Sequence, residues 1–183
     1  MYRGSNPSAL QSQQWIVDSL ISLMEVKPYQ QITIMDICKR ADLSRQTFYN
    51  VFSQKEDVLR FCLQKEYGQE FQSVEDHTSI TVEEIVKAFA SVLQKNEKLL
   101  SLMIQNNLDA ILFDEVAKSV SLFADRFVKD PEKISQLPYS KAILSGALAH
   151  LLVYWFQQEE PVSIEELTGL ISEFLQGRLF AIE

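Results

Sequence analysis

Arg45, Gln46, Tyr49 and Asn50 form two i, i+4 pairs, so on a helix they share one side. Phe48, Val51 and Phe52 share the other. A guanidinium, two amides and a phenol backed by an apolar stripe match the chemistry of the DNA major groove. Arg pairs with guanine edges, Gln and Asn pair with adenine edges, and a tyrosyl hydroxyl reaches a phosphate. Arg45, Gln46 and Asn50 are therefore the candidates for base contact. The hydroxyls of Thr33, Ser44, Thr47 and Tyr49 are candidates for holding phosphates. Lys55 joins them, because a cation in the first turn of the next helix opposes the helix dipole and a nearby phosphate would explain it.

Other chemistry finds little support. There is no Gly-rich phosphate loop, no metal-ligand cluster and no nucleophile next to a base. The acidic pairs Glu83-Glu84 and Glu165-Glu166 fall at helix starts, where they favour the dipole. Cys38 and Cys62 fall on apolar faces and read as small core residues in a reducing compartment. His77 and His150 lie near neither cysteine in sequence. The expectation is no catalytic residue, no metal and no cofactor: the chain is not an enzyme.

The net charge of −8 is unevenly spread. Residues 1–67 carry eight Lys/Arg and seven Asp/Glu, whereas residues 68–183 carry nine and eighteen. Four basic and two acidic residues lie between Pro28 and Lys55. Whatever affinity for nucleic acid exists must come from the N-terminal third, while the acidic remainder repels DNA and disfavours wrong orientations. The first residues lack an apolar core, which argues against a signal peptide. The longest apolar run, about 146–156, is well short of the roughly 20 residues that span a bilayer. A cytoplasmic protein without membrane contact is expected.

The elements that must position the polar face are legible around it. Thr33 with Asp36 starts a helix whose Ile34, Ile37, Cys38 and Ala41 form one buried face. Ala41, Asp42 and Leu43 make a turn, and Ser44 caps the reading helix. Ser53 with Glu56 reads as a capping box for a third piece, running to about Phe71. Ahead of these, a helix starting at Ser8, with Gln11 in the capping-box position, buries Ile16, Leu20, Leu23 and Met24.

These residues resemble the TetR family of bacterial regulators. The likeness rests on Thr33 and Ile37, then ADLS at 41–44, then TFYNVFSQK at 47–55. The run SRQTFYNVF looks most like the branch with an Arg-x-Thr-Phe-Tyr reading helix. It is close from Ile16 to about Leu63, and beyond that it extends only to helix number and length. Asp42 stands where the family carries a turn glycine, and Asp is among the few other residues that tolerate positive φ. Lys27-Pro28-Tyr29 stands where many members carry glycine. The resemblance implies an all-α fold: an N-terminal three-helix helix-turn-helix unit, residues 1–67, joined by a long helix to a C-terminal regulatory and dimerisation bundle, residues 68–183. About nine helices are expected.

In that C-terminal part, Thr81 and Glu84 start a helix that breaks near Asn96, before a short apolar stretch from Leu99 to Ile104. Asn106-Asn107 marks a turn. Asp109 to Lys129 carries a stripe containing Phe113, Val116, Val120 and Phe123. Pro131 and Pro138 bracket a linker. From Tyr139 to about Gln158 the chain is apolar on nearly every side and must be covered all round. Ser163 and Glu166 cap a last helix, which Gly177 begins to end. The resemblance places a homodimer interface on this terminal pair, with Leu148, Leu152, Leu167, Ile171 and Phe174 as its candidates. A dimer also suits the physics, because one reader sees too few base pairs to select a site, and a two-fold pair demands a palindrome. An effector of unknown identity, small molecule or protein, would bind in the bundle. Phe89, Phe113, Phe123, Tyr154 and Trp155 are candidates for its pocket, although core packing also accounts for them. The expected function is a regulator, with repression as the family default and release from a palindromic operator by the effector. The alternative is an interaction or co-activator protein on the same scaffold that does not read DNA.

Overall fold

The computed structural model describes residues 4–73, 81–127 and 135–178, with the side chains of 66–73, 123 and 125–127 outside that description. His77, Pro131 and the side chain of Phe123 therefore lie outside the described residues. The described chain holds eight α-helices: α1 (Pro7–Met24), α2 (Ile34–Ala41), α3 (Arg45–Val51), α4 (Lys55–Ser73), α5 (Val82–Gln105), α6 (Asp109–Phe127), α7 (Leu137–Phe156) and α8 (Ile164–Leu175). A 3₁₀ turn, Tyr29–Gln31, lies between α1 and α2.

Capping residues set most of the starts. Thr33, Thr81 and Ser163 each form a reciprocal capping box, with Asp36, Glu84 and Glu166 respectively. Two starts differ from the sequence expectation. The cap of α1 is Asn6, whose Oδ1 accepts the Ser8 N–H at 3.0 Å with Pro7 in the first turn. Asn outranks most residues as a cap, and proline loses nothing where its N–H has no helical partner. Ahead of α4, Asp57 rather than Glu56 supplies the capping carboxylate. Its Oδ2 accepts from the Ser53 and Gln54 N–H groups at 3.0 and 3.2 Å.

Two internal expectations are also corrected. The break at Asn96 is absent, and α5 runs unbroken from 82 to 105. Asn96 is buried, and its Nδ2 donates to the Val92 carbonyl one turn back, so the amide is satisfied inside the helix. Pro138 does not precede α7 but sits in its first turn. The expected turn after α5 is present, with Asn107 at φ 55°.

Between α2 and α3, Asp42 adopts φ 54°, ψ 44° and closes α2 with its N–H on the Cys38 carbonyl. Because Asp42 is solvent-exposed, a substitution there tests the backbone alone. Asp42→Val is expected to cost about 1–2 kcal/mol, because a β-branched side chain meets its own carbonyl in this region. Asp42→Gly should stay within about 0.5 kcal/mol of the parent. Urea unfolding midpoints at unchanged slope provide the measurement.

One apolar core runs through the whole described fold. In the N-terminal unit it contains Ile16, Leu20, Ile37, Phe48, Phe52, Leu59 and Leu63. It continues through Leu93, Leu100, Met103 and Leu112 into Leu152, Leu167 and Ile171. α1 packs on α2 and α3, α4 packs on α5 and α6, α6 packs on α7, and α5 packs on α8. Residue 67, the expected boundary, falls inside α4. No helix among the described residues is long and apolar enough to cross a membrane.

The terminal helices revise the interface candidates. Leu148, Leu152, Leu167 and Ile171 are buried within the single chain, so they hold the protomer together. The exposed stripe of α7 is instead Tyr139, Ile143, Gly146, Ala147, His150 and Tyr154, at spacings of three and four. On α8, Leu170 and Phe174 are exposed. An all-apolar helix has no periodicity to show which side its own chain covers, and here the chain itself covers the side of Leu148 and Leu152.

Candidate nucleic-acid interface

The back of α3 anchors it. Phe48, Val51 and Phe52 are buried, and the Phe48 ring lies 5.6 Å from Tyr49 and 6.0 Å from Phe52. Phe52 in turn meets Phe61 of α4 edge-on at 5.6 Å. The front is open: Arg45, Gln46 and Asn50 are exposed, and Tyr49 is 50% exposed. None of these four side chains has a hydrogen-bond partner among the described residues, so their donors and acceptors face solvent. The structure thus brings all four onto one face of one short helix.

The phosphate candidates fare unequally. Ser44 accepts the Thr47 N–H at 3.0 Å as the cap of α3. The Ser44 and Thr47 hydroxyls share one further hydrogen bond of 2.9 Å, which leaves one hydroxyl hydrogen to point outward. Thr33 is exposed, but its hydroxyl donates to Asp36 Oδ2 at 2.8 Å within the capping box. Lys27 donates to the same oxygen at 2.8 Å, and this bond, with those from Thr33, holds the Asp36 carboxyl well below the usual carboxylate range.

Lys55 turns out to be occupied inside the protein. Its Nζ donates to the Tyr29 and Ile32 carbonyls at 2.8 and 2.9 Å and lies 4.0 Å from the Tyr29 ring centre. Burial pulls its pKa below the usual lysine value. A cation at this helix start is explained by two carbonyls and an aromatic face, without a phosphate. Tyr29 is itself buried. Desolvation, then the Glu56 and Asp57 carboxylates, push its phenol far above the usual range. Cys38 is buried beneath the turn, and burial raises its thiol pKa against the pull of Arg45.

Two polar ties join this unit to the rest of the chain. At the α5–α6 turn, Asn106 Oδ1 accepts the Tyr29 N–H at 2.7 Å, and its carbonyl accepts Gln30 Nε2 at 2.9 Å. On α6, Glu115 is only 1% exposed. Its Oε1 accepts Arg60 Nη1 at 2.9 Å and Lys118 Nζ at 2.6 Å, and its Oε2 accepts Gln64 Nε2 at 2.9 Å. Arg60 Nη2 also meets Asp114 at 2.8 Å. Burial alone would raise the Glu115 pKa, but the donors from Lys118, Gln64 and Arg60 outweigh it and hold the carboxyl below its ordinary value. Sequence reasoning does not single out Glu115. The signal available was its place, with Leu112 and Val116, on the inward stripe of α6.

The pocket candidates are not brought together. Phe113 and Tyr154 are exposed, Phe89 is half-buried against the core, and Trp155 is buried with its Nε1 on the Val162 carbonyl at 2.7 Å. Trp155 borders an open cleft of about 490 Å³, together with Lys98, Ser101, Phe156 and Pro161. Phe89, Phe113 and Tyr154 do not line it.

The family described as "Bacterial regulatory proteins, tetR family" matches residues 16–61. The HTH-type dhaKLM operon transcriptional activator DhaS of Lactococcus lactis subsp. lactis (strain IL1403) is 27% identical over 120 residues, covering 59% of this chain. The match spans 64% of that relative's length, just under two thirds. Among solved structures, Lin0861 from Listeria innocua aligns with a TM-score of 0.74 at 18% identity, over 97% of this chain and 96% of that one. A TetR transcriptional regulator from Streptococcus agalactiae 2603V aligns at 0.61 and 19% identity, over 92% and 95%. At these identities the structural likeness is one of fold: an all-α chain with an N-terminal helix-turn-helix and a C-terminal helical body.

Proposed function

We propose that the chain, whose residues 16–61 match the tetR family of bacterial regulatory proteins, is a homodimeric, sequence-specific regulator of transcription that reads a palindromic DNA operator through α3. One observation carries the reading. Arg45, Gln46, Tyr49 and Asn50 stand exposed and without hydrogen-bond partners among the described residues, on a helix whose opposite side is pinned in the core. Arg45, Gln46 and Asn50 take base edges, while Tyr49 and the Ser44–Thr47 hydroxyl pair take phosphates.

The dimer reading rests on the exposed stripes of α7 and α8. Each helix carries an exposed glycine, Gly146 and Gly169, around which an added Cβ would meet nothing within 4 Å. Glycine inside a helix costs up to about 1 kcal/mol relative to alanine, and packing among the described residues gives no reason for it. Close approach of a second subunit's helix does.

In this reading the default action is repression, with the protein leaving its operator when an effector binds the C-terminal body. Activation is a second reading, favoured by the role of the L. lactis relative as an operon activator. A reporter behind the operator separates them: removing the protein raises expression in the first case and lowers it in the second.

Selection from a random duplex library at moderate salt tests the core of the proposal. An enriched palindrome is the expected result. Arg45→Ala should then relax preference at one base pair per half-site by about 1–3 kcal/mol. If neither enrichment nor salt-dependent duplex binding is found, the protein is an interaction module that has kept the scaffold without the reading.

A further inference from the structure

Glu115 is a charged group placed where an apolar one would fit. Its neighbours on the inward stripe of α6, Leu112, Val116 and Val120, are buried hydrophobics, and its carboxylate is as deeply buried as they are. Removing a carboxylate from water is costly, and a buried ion pair adds little net stability over an apolar replacement of similar shape. What it adds is direction. Apolar packing tolerates sliding and rotation, whereas hydrogen bonds to a charged acceptor demand fixed distances and angles.

The direction is across two helices. Arg60 and Gln64 lie one turn apart on α4, and both donate to Glu115 of α6. Only three residues separate α3 from α4. The two are further locked by the Phe52–Phe61 ring contact, and Lys55 of α4 grips the Tyr29 and Ile32 carbonyls ahead of α2. The register of α4 on α6 is therefore passed to α3 with little slack. Lys118 differs from Arg60 and Gln64: it lies on α6 itself, three residues after Glu115, and ties that helix only to itself.

We propose that Glu115 is a positioning residue for the reader: by fixing α4 on α6 through Arg60 and Gln64, it sets the distance between the two reading helices of the dimer, and hence the half-site spacing the protein accepts. The assignment rests on the dimeric-reader function proposed above. A small rotation at this contact counts twice across a two-fold axis.

The test uses the full chain and a set of palindromes built from the selected half-site, with the spacer varied one base pair at a time. The parent should bind one spacing sharply. Glu115→Gln and Arg60→Met should lower the preference for that spacing over its neighbours about tenfold, with binding to an isolated half-site unchanged. Lys118→Met removes a charge partner from the same carboxylate but no bond between helices, so it should keep the parent's spacing profile even where its thermal midpoint falls. If Arg60→Met does not fold, Glu115→Gln, which keeps shape and acceptor, decides. The inference is overturned if all three variants keep the parent's profile, or if the profile shifts in proportion to lost thermal stability, Lys118→Met included. A parent that selects no palindrome overturns the dimeric-reader function itself and this inference with it, which is a distinct result from a parent that selects one spacing while its variants do so too.

Discussion

Ile143→Glu is expected to yield a folded chain that no longer holds a palindromic operator. Ile143 is 68% exposed, one turn into the α7 stripe that it forms with Tyr139, Gly146, Ala147, His150 and Tyr154. Within one chain the new carboxylate stays in water and costs little. In a two-fold interface it is buried, and it is repeated by the same residue from the second copy. Loss of the dimer leaves one α3 per molecule, which reads only a few base pairs. Operator affinity should then fall toward the non-specific level, on the order of 10³-fold or more. Sedimentation should show a monomer, with helical content unchanged by circular dichroism. A dimer of normal operator affinity would mean that this stripe is not the interface.

Phe48→Ala should produce the largest loss of stability. The side chain is 0% exposed and touches the Phe52 and Tyr49 rings, so truncation removes buried area and leaves a cavity in the core. The expected cost is about 3–5 kcal/mol, a large share of the roughly 5–15 kcal/mol that stabilises a typical domain. The urea midpoint should drop steeply. Operator affinity should fall even where the variant is fully folded, because α3 loses the backing that aims Arg45 and Asn50. A cost below about 1 kcal/mol would mean that the back of α3 is not seated in the core as described.

Much of this architecture can be read from local signals in the chain. The capping boxes at Thr33, Thr81 and Ser163 are legible because a hydroxyl and a carboxylate three residues apart satisfy backbone groups of the same turn. The two faces of α3 are legible because a half-buried helix carries its orientation in its period. The αL position of Asp42 is legible because few residue types accept it. The rest depends on partners distant in sequence. Nothing near Lys55 indicates that its ammonium meets Tyr29 and Ile32, more than twenty residues away. Asn96 looks like a helix break until Val92 is seen to take its amide. Glu115 looks like one more surface acid, since the groups that make its burial tolerable include Arg60 and Gln64 of another helix. In α7 nearly every residue is apolar, so the period that would separate inside from outside is missing. Phe113, placed on the buried stripe by sequence, stands on the exposed side of α6, whose inward stripe runs through Leu112, Glu115, Val116 and Val120.

The placement of Glu115 and Asn106 also bears on modularity. The proposed function invites recombination: cut in the linking helix, keep the reader, and attach a different C-terminal body. In this chain a cut after residue 67 would carry Arg60, Gln64, Tyr29 and Gln30 away from the groups that receive them, Glu115, Asp114 and Asn106. A foreign body with an apolar residue opposite Arg60 would bury a guanidinium against hydrocarbon. One with an unmatched acid would aim the graft at a different angle. The exchangeable cassette is therefore longer than the reading unit: it runs through α4 and must bring, or find in its new host, the carboxylate of α6 and the amide at the turn before it.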